Sequence, residues 1–147
     1  MSFELRLATT DDLTFARELT CRNMLPYYIE HELPWRDDVF DIAWSERQNW
    51  LIVRGEVSVG HISLSRDMSA LYIRELQVDE AFQRQGVGSW AIDQVINMAR
   101  GERRRAIRLT VFENNPARNL YERKDLQVKG KDECFLRMQL DIGTPVL

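Results

Sequence analysis

The segment Gln83-Arg84-Gln85-Gly86-Val87-Gly88-Ser89 lies between a strand-like run and a strongly helical one. Glycines at such a junction let a backbone approach a ligand closely, and the first turn of a helix has unpaired N–H groups aimed outward. Those donors and the positive end of the helix dipole suit a pyrophosphate, with Arg84 adding a cation. Plain turn chemistry explains the same glycines without any ligand. The overlapping run Gly86-Val87-Gly88-Ser89-Trp90-Ala91 also fits the G-x-G-x-x-[GA] dinucleotide fingerprint, with Glu113 near the place of a ribose-binding acid. Two features oppose that reading. Seven residues, Asp79 to Gln85, separate the strand from the first glycine, and only a short helix and a hairpin follow.

A second chemically marked segment is Val111-Phe112-Glu113-Asn114-Asn115-Pro116-Ala117-Arg118-Asn119-Leu120-Tyr121-Glu122-Arg123. Asn115 is a good helix cap and Pro116 suits a first helical position. From the residues alone, Tyr121 reads as a helix side chain packing its ring on a sheet. A third group, Tyr27, Tyr28, Glu30, His31, Glu32 and Trp35, puts aromatic faces beside carboxylates, a mixture that attracts cationic amines. Aromatics filling a core while the charges face solvent would look the same.

These segments need elements to hold them. Glu4 to Leu7 reads as a first strand, and Thr10-Asp11-Asp12 as the start of a helix running to about Arg22. Met24 to Asn49 reads as helical pieces broken near Pro26 and Pro34. Trp50 to Val53, the turn Arg54-Gly55-Glu56, and Val57 to Ser65 form a β-hairpin pattern. In the next strand, Leu71 to Val78, the apolar set changes from Leu71 and Ile73 to Leu76 and Val78. A β-bulge near Arg74-Glu75 would produce that one-residue slip. Gly86 to Arg100 is the clearest helix, with Val87, Ala91, Val95 and Met98 in one row and Ile92, Ile96 and Ala99 beside it. Gly101 reads as its break. A strand over Ile107 to Val111, a helix from Asn115 to Tyr121 and a closing hairpin over Leu126 to Leu140 complete a mixed sheet with helices on its faces.

Composition bounds the rest. The 147 residues suit one domain, spanning 1–147. Hydrophobic residues at 44% and charged residues at 29% are ordinary for a globular chain. A net charge of −3 argues against a whole-molecule grip on nucleic acid. The longest apolar runs, Trp50–Val53 and Ala70–Ile73, span four residues each, so no membrane partner is expected. Residues 1–6 lack the pattern of a secretory signal, and a cytoplasmic location is expected. Cys21 and Cys134 read as reduced, buried thiols, and no His–Cys cluster suggests a metal. Arg100 and Arg103 to Arg105 form a basic cluster at a helix end. Dipole complementarity explains it, with contact to a coenzyme phosphate as the rival.

The two motifs, taken in order, resemble the GNAT N-acetyltransferase superfamily: strand, [QR]-x-x-G-x-[GA], long helix, strand, then N-P-A-x-x-L-Y-E. The likeness is firmest from Leu71 to Leu126 and extends to Phe3–Arg22 and Phe135–Leu140. It implies an α/β (α+β) single-domain fold, with a twisted, mostly antiparallel mixed sheet, helices on both faces and a bulged central strand. It also implies acetyl-CoA as co-substrate and an amine acceptor, with direct transfer in a ternary complex and no metal. Gln83, Arg84, Gln85, Gly86, Val87, Gly88 and Ser89 would cradle the coenzyme pyrophosphate. The backbone of Leu76, Gln77 and Val78 would bond the pantetheine arm, and Asn115 would contact it. Tyr121 matches the tyrosine that protonates the departing thiolate, and a backbone N–H near Val78 would stabilise the oxyanion.

Glu75 is a candidate base by position, with Glu30, His31 and Glu32 as rivals in the acceptor segment beside Tyr27, Tyr28 and Trp35. A homodimer is compatible with the family. The alternative function is a GNAT-fold module that binds acyl-CoA as a sensor and does not catalyse. One departure stands out: family members follow the tyrosine helix with Leu-Gly-Phe, where this chain has Lys124-Asp125-Leu126. Asp125 is therefore asked to take the positive φ of a glycine, at some cost.

Overall fold

The computed structural model describes residues 2–143. Strand β1 (Glu4–Leu7) leads through a 3₁₀ turn (Thr10–Asp12) into helix α1 (Leu13–Glu30), then α2 (Asp37–Ser45). Strands β2 (Gln48–Arg54), β3 (Val57–Arg66) and β4 (Ala70–Val78) follow. A second 3₁₀ turn (Glu80–Phe82) precedes α3 (Val87–Gly101), β5 (Ala106–Phe112), α4 (Ala117–Arg123), β6 (Gln127–Asp132) and β7 (Phe135–Asp141). The strands form one seven-stranded sheet in the order β1-β2-β3-β4-β5-β7-β6. β1 with β2, β2 with β3, β5 with β7, and β6 with β7 pair antiparallel. β4 and β5 run parallel, in register from Ala70 with Ala106 to Tyr72 with Arg108.

Two compact units divide the chain. The first runs to Leu64 and takes in Glu75–Gly88; the second holds Ser65–Arg74 and the described residues from Ser89 onward. In the first, Ala16 and Leu19 of α1 are buried, as are Leu51, Ile52, Val59, Ile62 and Leu64 of β2 and β3. His61 is buried with them: its Nε2 lies 2.7 Å from the Thr20 hydroxyl, which donates to the Ala16 carbonyl. Burial pushes the imidazole pKa down to about 3, so at neutral pH it is an uncharged core residue. In the second unit the core is Ala91, Ile92, Val95 and Ala99 of α3 with Ile107, Leu109, Val111, Leu126, Leu136 and Met138. The helical row read from the sequence supplies it.

Helix α1 corrects the expected boundary near Arg22. It continues through Pro26 to Glu30, although an interior proline forfeits a hydrogen bond and costs about 3 kcal/mol. Packing and a closed end keep the last turns. Tyr28 sets its ring edge-on to Trp35 at 5.3 Å, and the N–H groups of Glu32 and Leu33 donate to the carbonyls of Ile29 and Tyr28. The break at Pro34 is found, between α1 and α2.

A second correction concerns Gly101. It lies inside α3, and the residue that turns the chain is Arg103 at φ 59°. Arg104 of the same basic cluster is committed to structure, donating to Glu102 and to the Asp67 carbonyl. Cys21 and Cys134 are free thiols, half-buried rather than buried. No described helix is long and apolar enough to cross a membrane.

Candidate active site

In the first unit, β4 ends in Glu75-Leu76-Gln77-Val78, and its neighbours fix that end closely. The amide of Asp79 donates to the Val59 carbonyl of β3. Val59 is the extra residue of a β-bulge, because Ile52 pairs with Gly60 and Val53 with Ser58. Next to it, a Cβ on Gly60 would stand 2.3 Å from the Gln77 carbonyl oxygen, so only glycine permits this approach of backbones. The Val78 carbonyl accepts from the side-chain amides of both Asn23 and Gln83, at 3.1 and 3.0 Å. Leu76 and Val78 are half-buried, and the buried side chain in this part of the strand is Gln77.

Glu75 is half-buried, and one carboxylate oxygen, Oε2, accepts from Gln77 Nε2 at 3.0 Å. Desolvation raises its pKa above the ordinary carboxyl value, against the opposing pull of that hydrogen bond and of Arg47. The Tyr28 phenol is raised in turn, by burial first and by the Glu75 charge second. The fold therefore makes Tyr28 and Glu75 electrostatic neighbours. Trp35 extends the aromatic group, packing at 5.9 Å on Phe40 and donating its indole N–H to Asp37 at 2.8 Å. Tyr27 and His31 are half-buried, while Glu30 and Glu32 are exposed. Burial singles out Glu75 among the carboxylates proposed as base, for Glu30 and Glu32 are exposed.

The loop after β4 is stiffened by its own side chains. Asp79 Oδ1 accepts from the Ala81 N–H and opens the 3₁₀ turn. Gln83 ties back to Val78, and Gln85 donates to the Ala81 carbonyl and accepts from Arg54, both at 3.4 Å. Arg84 and Gly86 hold positive φ, 65° and 79°, and α3 begins at Val87, which is buried. A Cβ on Gly86 would meet nothing within 4 Å, so its glycine answers to backbone conformation rather than to crowding. Gln83, Arg84, Gln85 and Gly86 are all exposed just before the N-terminus of a fifteen-residue helix. That is where an anion would find donors.

In the second unit Ser89 lies half-buried in the first turn of α3. Asn115 accepts from the Ala117 N–H at 2.9 Å and opens α4, as its position before Pro116 implies. Tyr121 is 7% exposed. Beyond it, Asp125 takes φ 69°, the conformation expected of the missing glycine. The Asp125 and Leu126 N–H groups donate to the carbonyls of Glu122 and Tyr121, both at 3.0 Å, and Leu126 is buried. This is a complete Schellman end with aspartate in the left-handed position.

Sequence reasoning overlooked Asn23, Arg47 and Gly60. An isolated glycine inside a strand pattern was the available signal for the last. Nothing local marks Asn23 or Arg47, whose importance comes from distant partners.

The chain matches the profile of the Acetyltransferase (GNAT) family over residues 15–125, and it belongs to that family. Among solved structures, it is similar to the ribosomal-protein-S18-alanine N-acetyltransferase of Escherichia coli. That TM-score is 0.78 at 18% identity, covering 99% of this chain and 97% of that one. The PaiA N-acetyltransferase of Thermoplasma acidophilum in complex with coenzyme A gives 0.76 at 14%, covering 97% and 100%. A domain from Methanocaldococcus jannaschii gives 0.80 at 16%, covering 96% and 99%. The fold is the single-domain α/β fold of these proteins, with a seven-stranded mixed sheet and four helices among the described residues.

Proposed function

We propose that residues 1–147 form one N-acetyltransferase domain that moves the acetyl group of acetyl-CoA directly to an amine in a ternary complex. The observation that favours an enzyme over an acyl-CoA sensor is the desolvated carboxylate of Glu75, held by Gln77 beside Tyr28. A sensor has no use for a partly desolvated proton acceptor, whereas an amine arriving as ammonium must lose a proton before it attacks. A carboxylate with a raised pKa is suited to take it near neutral pH.

The other roles follow from placement and from the family. The backbone of Leu76, Gln77 and Val78 bonds the pantetheine arm, and an N–H near Val78 steadies the oxyanion. The residues Gln83, Arg84, Gln85, Gly86, Val87, Gly88 and Ser89 cradle the pyrophosphate at the start of α3. Asn115, whose carbonyl oxygen caps α4, offers its amide to the coenzyme arm. As the N–C bond forms and the C–S bond breaks, Glu75 receives the amine proton and the Tyr121 hydroxyl supplies one to sulfur. Reference pKa values of about 10 for a phenol and about 8.5 for a thiol make such a transfer feasible with modest tuning. Tyr27, Tyr28, Glu30 and Trp35 receive the acceptor, a small amine or a protein amino group. The setting is cytoplasmic, without metal, nucleic acid or membrane, and a homodimer is compatible with it.

Calorimetric titration with acetyl-CoA tests the coenzyme assignment. Wild-type protein should bind and gain melting temperature, since a ligand of the native state stabilises it by mass action. Gly86→Val, strained at φ 79°, should lose binding while remaining folded. Undiminished binding by this variant would sink the loop assignment. A screen of amines reading free thiol then separates enzyme from sensor.

A further inference from the structure

We propose that Asn23 and Gln77 are positioning residues for Glu75. They form a directed file of two amides, from α1 to β4, that fixes which carboxylate oxygen is occupied and which meets the acceptor. The inference rests on reading Glu75 as the base.

The direction is set at Asn23. Its Nδ2 donates to two oxygens, the Val78 carbonyl and Gln77 Oε1, each at 3.1 Å. Only one orientation of the Asn23 amide does this, because the other would point its oxygen at two acceptors. With Gln77 Oε1 so engaged, Gln77 must present Nε2 to Glu75, which it does at 3.0 Å. Turned the other way, its oxygen would face a carboxylate.

Water cannot relax the arrangement, since Gln77 is 8% exposed. Nor can the strand shift, because the Gly60 backbone closes on the Gln77 carbonyl. The file occupies Oε2, and in this reading the other oxygen, Oε1, is the one that meets the ammonium proton. The titratable and charged groups that bear on this carboxylate are Tyr28 of α1 and Arg47, just before β2.

A structural role alone would change stability; a positioning role also changes how Glu75 titrates. The test is carboxyl ¹³C NMR on the full chain, with the Glu75 signal assigned by its loss in Glu75→Gln. Gln77→Met removes the donor at nearly constant volume and should raise the Glu75 midpoint by about one pH unit. Asn23→Leu leaves Gln77 without its orienting partner and should raise the midpoint in the same direction by less. Should Gln77→Met fail to fold, Asn23→Leu decides alone.

An unchanged midpoint in the folded variants would overturn the file, whatever Glu75 does in turnover. Retained turnover by Glu75→Gln together with the expected shifts would instead overturn the base reading and leave the file standing.

Discussion

Tyr121 and Glu75, the two groups proposed to move protons, are held by different kinds of neighbour. Tyr121 lies in a seven-residue helix whose ends are finished by residues close in sequence: Asn115 opens it, and Asp125 and Leu126 close it on the carbonyls of Glu122 and Tyr121. Glu75 is held by Gln77, which is held in turn by Asn23, 54 residues earlier in the chain. The charge that bears on it comes from Arg47, and the phenol it acts on in turn is Tyr28, both no nearer in sequence than the other side of β3. A locally finished site costs little to build and is robust. A site assembled at long range can hold a carboxylate partly desolvated, and the fold carries that penalty.

Glu75→Gln should therefore separate activity from stability more than any other single change. If the carboxylate is the base, kcat should fall by roughly 10²–10⁴-fold. Stability should move the other way. Because the folded state holds the Glu75 proton more tightly than the ordinary value of 4.5, the unfolded chain binds fewer protons as pH rises above that value. Native stability is lost through that window, and the glutamine variant is spared the loss. Chemical denaturation at neutral pH should show the variant more stable, with the advantage shrinking as pH approaches 4.5. A less stable variant at neutral pH would mean that Glu75 is a structural anchor.

Tyr121→Phe probes the other side of the comparison. Tyr121 is 7% exposed and its helix is closed by backbone bonds that the substitution leaves intact, so the variant should fold and bind coenzyme. As a general acid it should cost roughly 10²–10⁴-fold in kcat. A loss well under tenfold, with chemistry shown to limit the rate, would return Tyr121 to ring packing. A large loss of stability would show that the hydroxyl, and not only the helix ends, anchors this part of the fold.

The same division separates what could be read in the sequence from what could not. The strands, the row of apolar residues on α3 and the Asn115 cap depend on periodicity and near neighbours, and all were legible. So was the demand for positive φ at Asp125, which the chain meets at 69°. The end of α1 was not, because the evidence against a break at Pro26 lies in Trp35 and in bonds made by Glu32 and Leu33. Gly101 misled for a related reason: the Arg103 and Arg104 N–H groups close α3 on the carbonyls of Arg100 and Ala99, which makes Arg103 the turning residue. Tyr121 could be singled out by its motif. Glu75 could be named only by position, since its burial and its link to Asn23 exist only once β4 and α1 are packed.

The smallest expected effect sharpens the comparison further. Three helices end in the same way, with Glu32, Arg103 and Asp125 at φ 57°, 59° and 69° and two backbone bonds closing each end. None of the three is glycine, although a side chain in this conformation is penalised by steric contact with its own backbone, about 1 kcal/mol or somewhat more. Arg84 at φ 65° differs, because it sits in the proposed pyrophosphate loop, where strain can serve a ligand. Asp125 serves only its helix end. Asp125→Gly should relieve the strain and stabilise the protein by about 1 kcal/mol, a rise in Tm of about 2–4 °C for a chain of this size. Coenzyme affinity and kcat should not change. Stability gained here without loss of function, against stability gained at Glu75 with it, would place the expense of this fold at the long-range site. A destabilised Asp125→Gly would show instead that the aspartate side chain contributes something to the helix end that its backbone bonds do not.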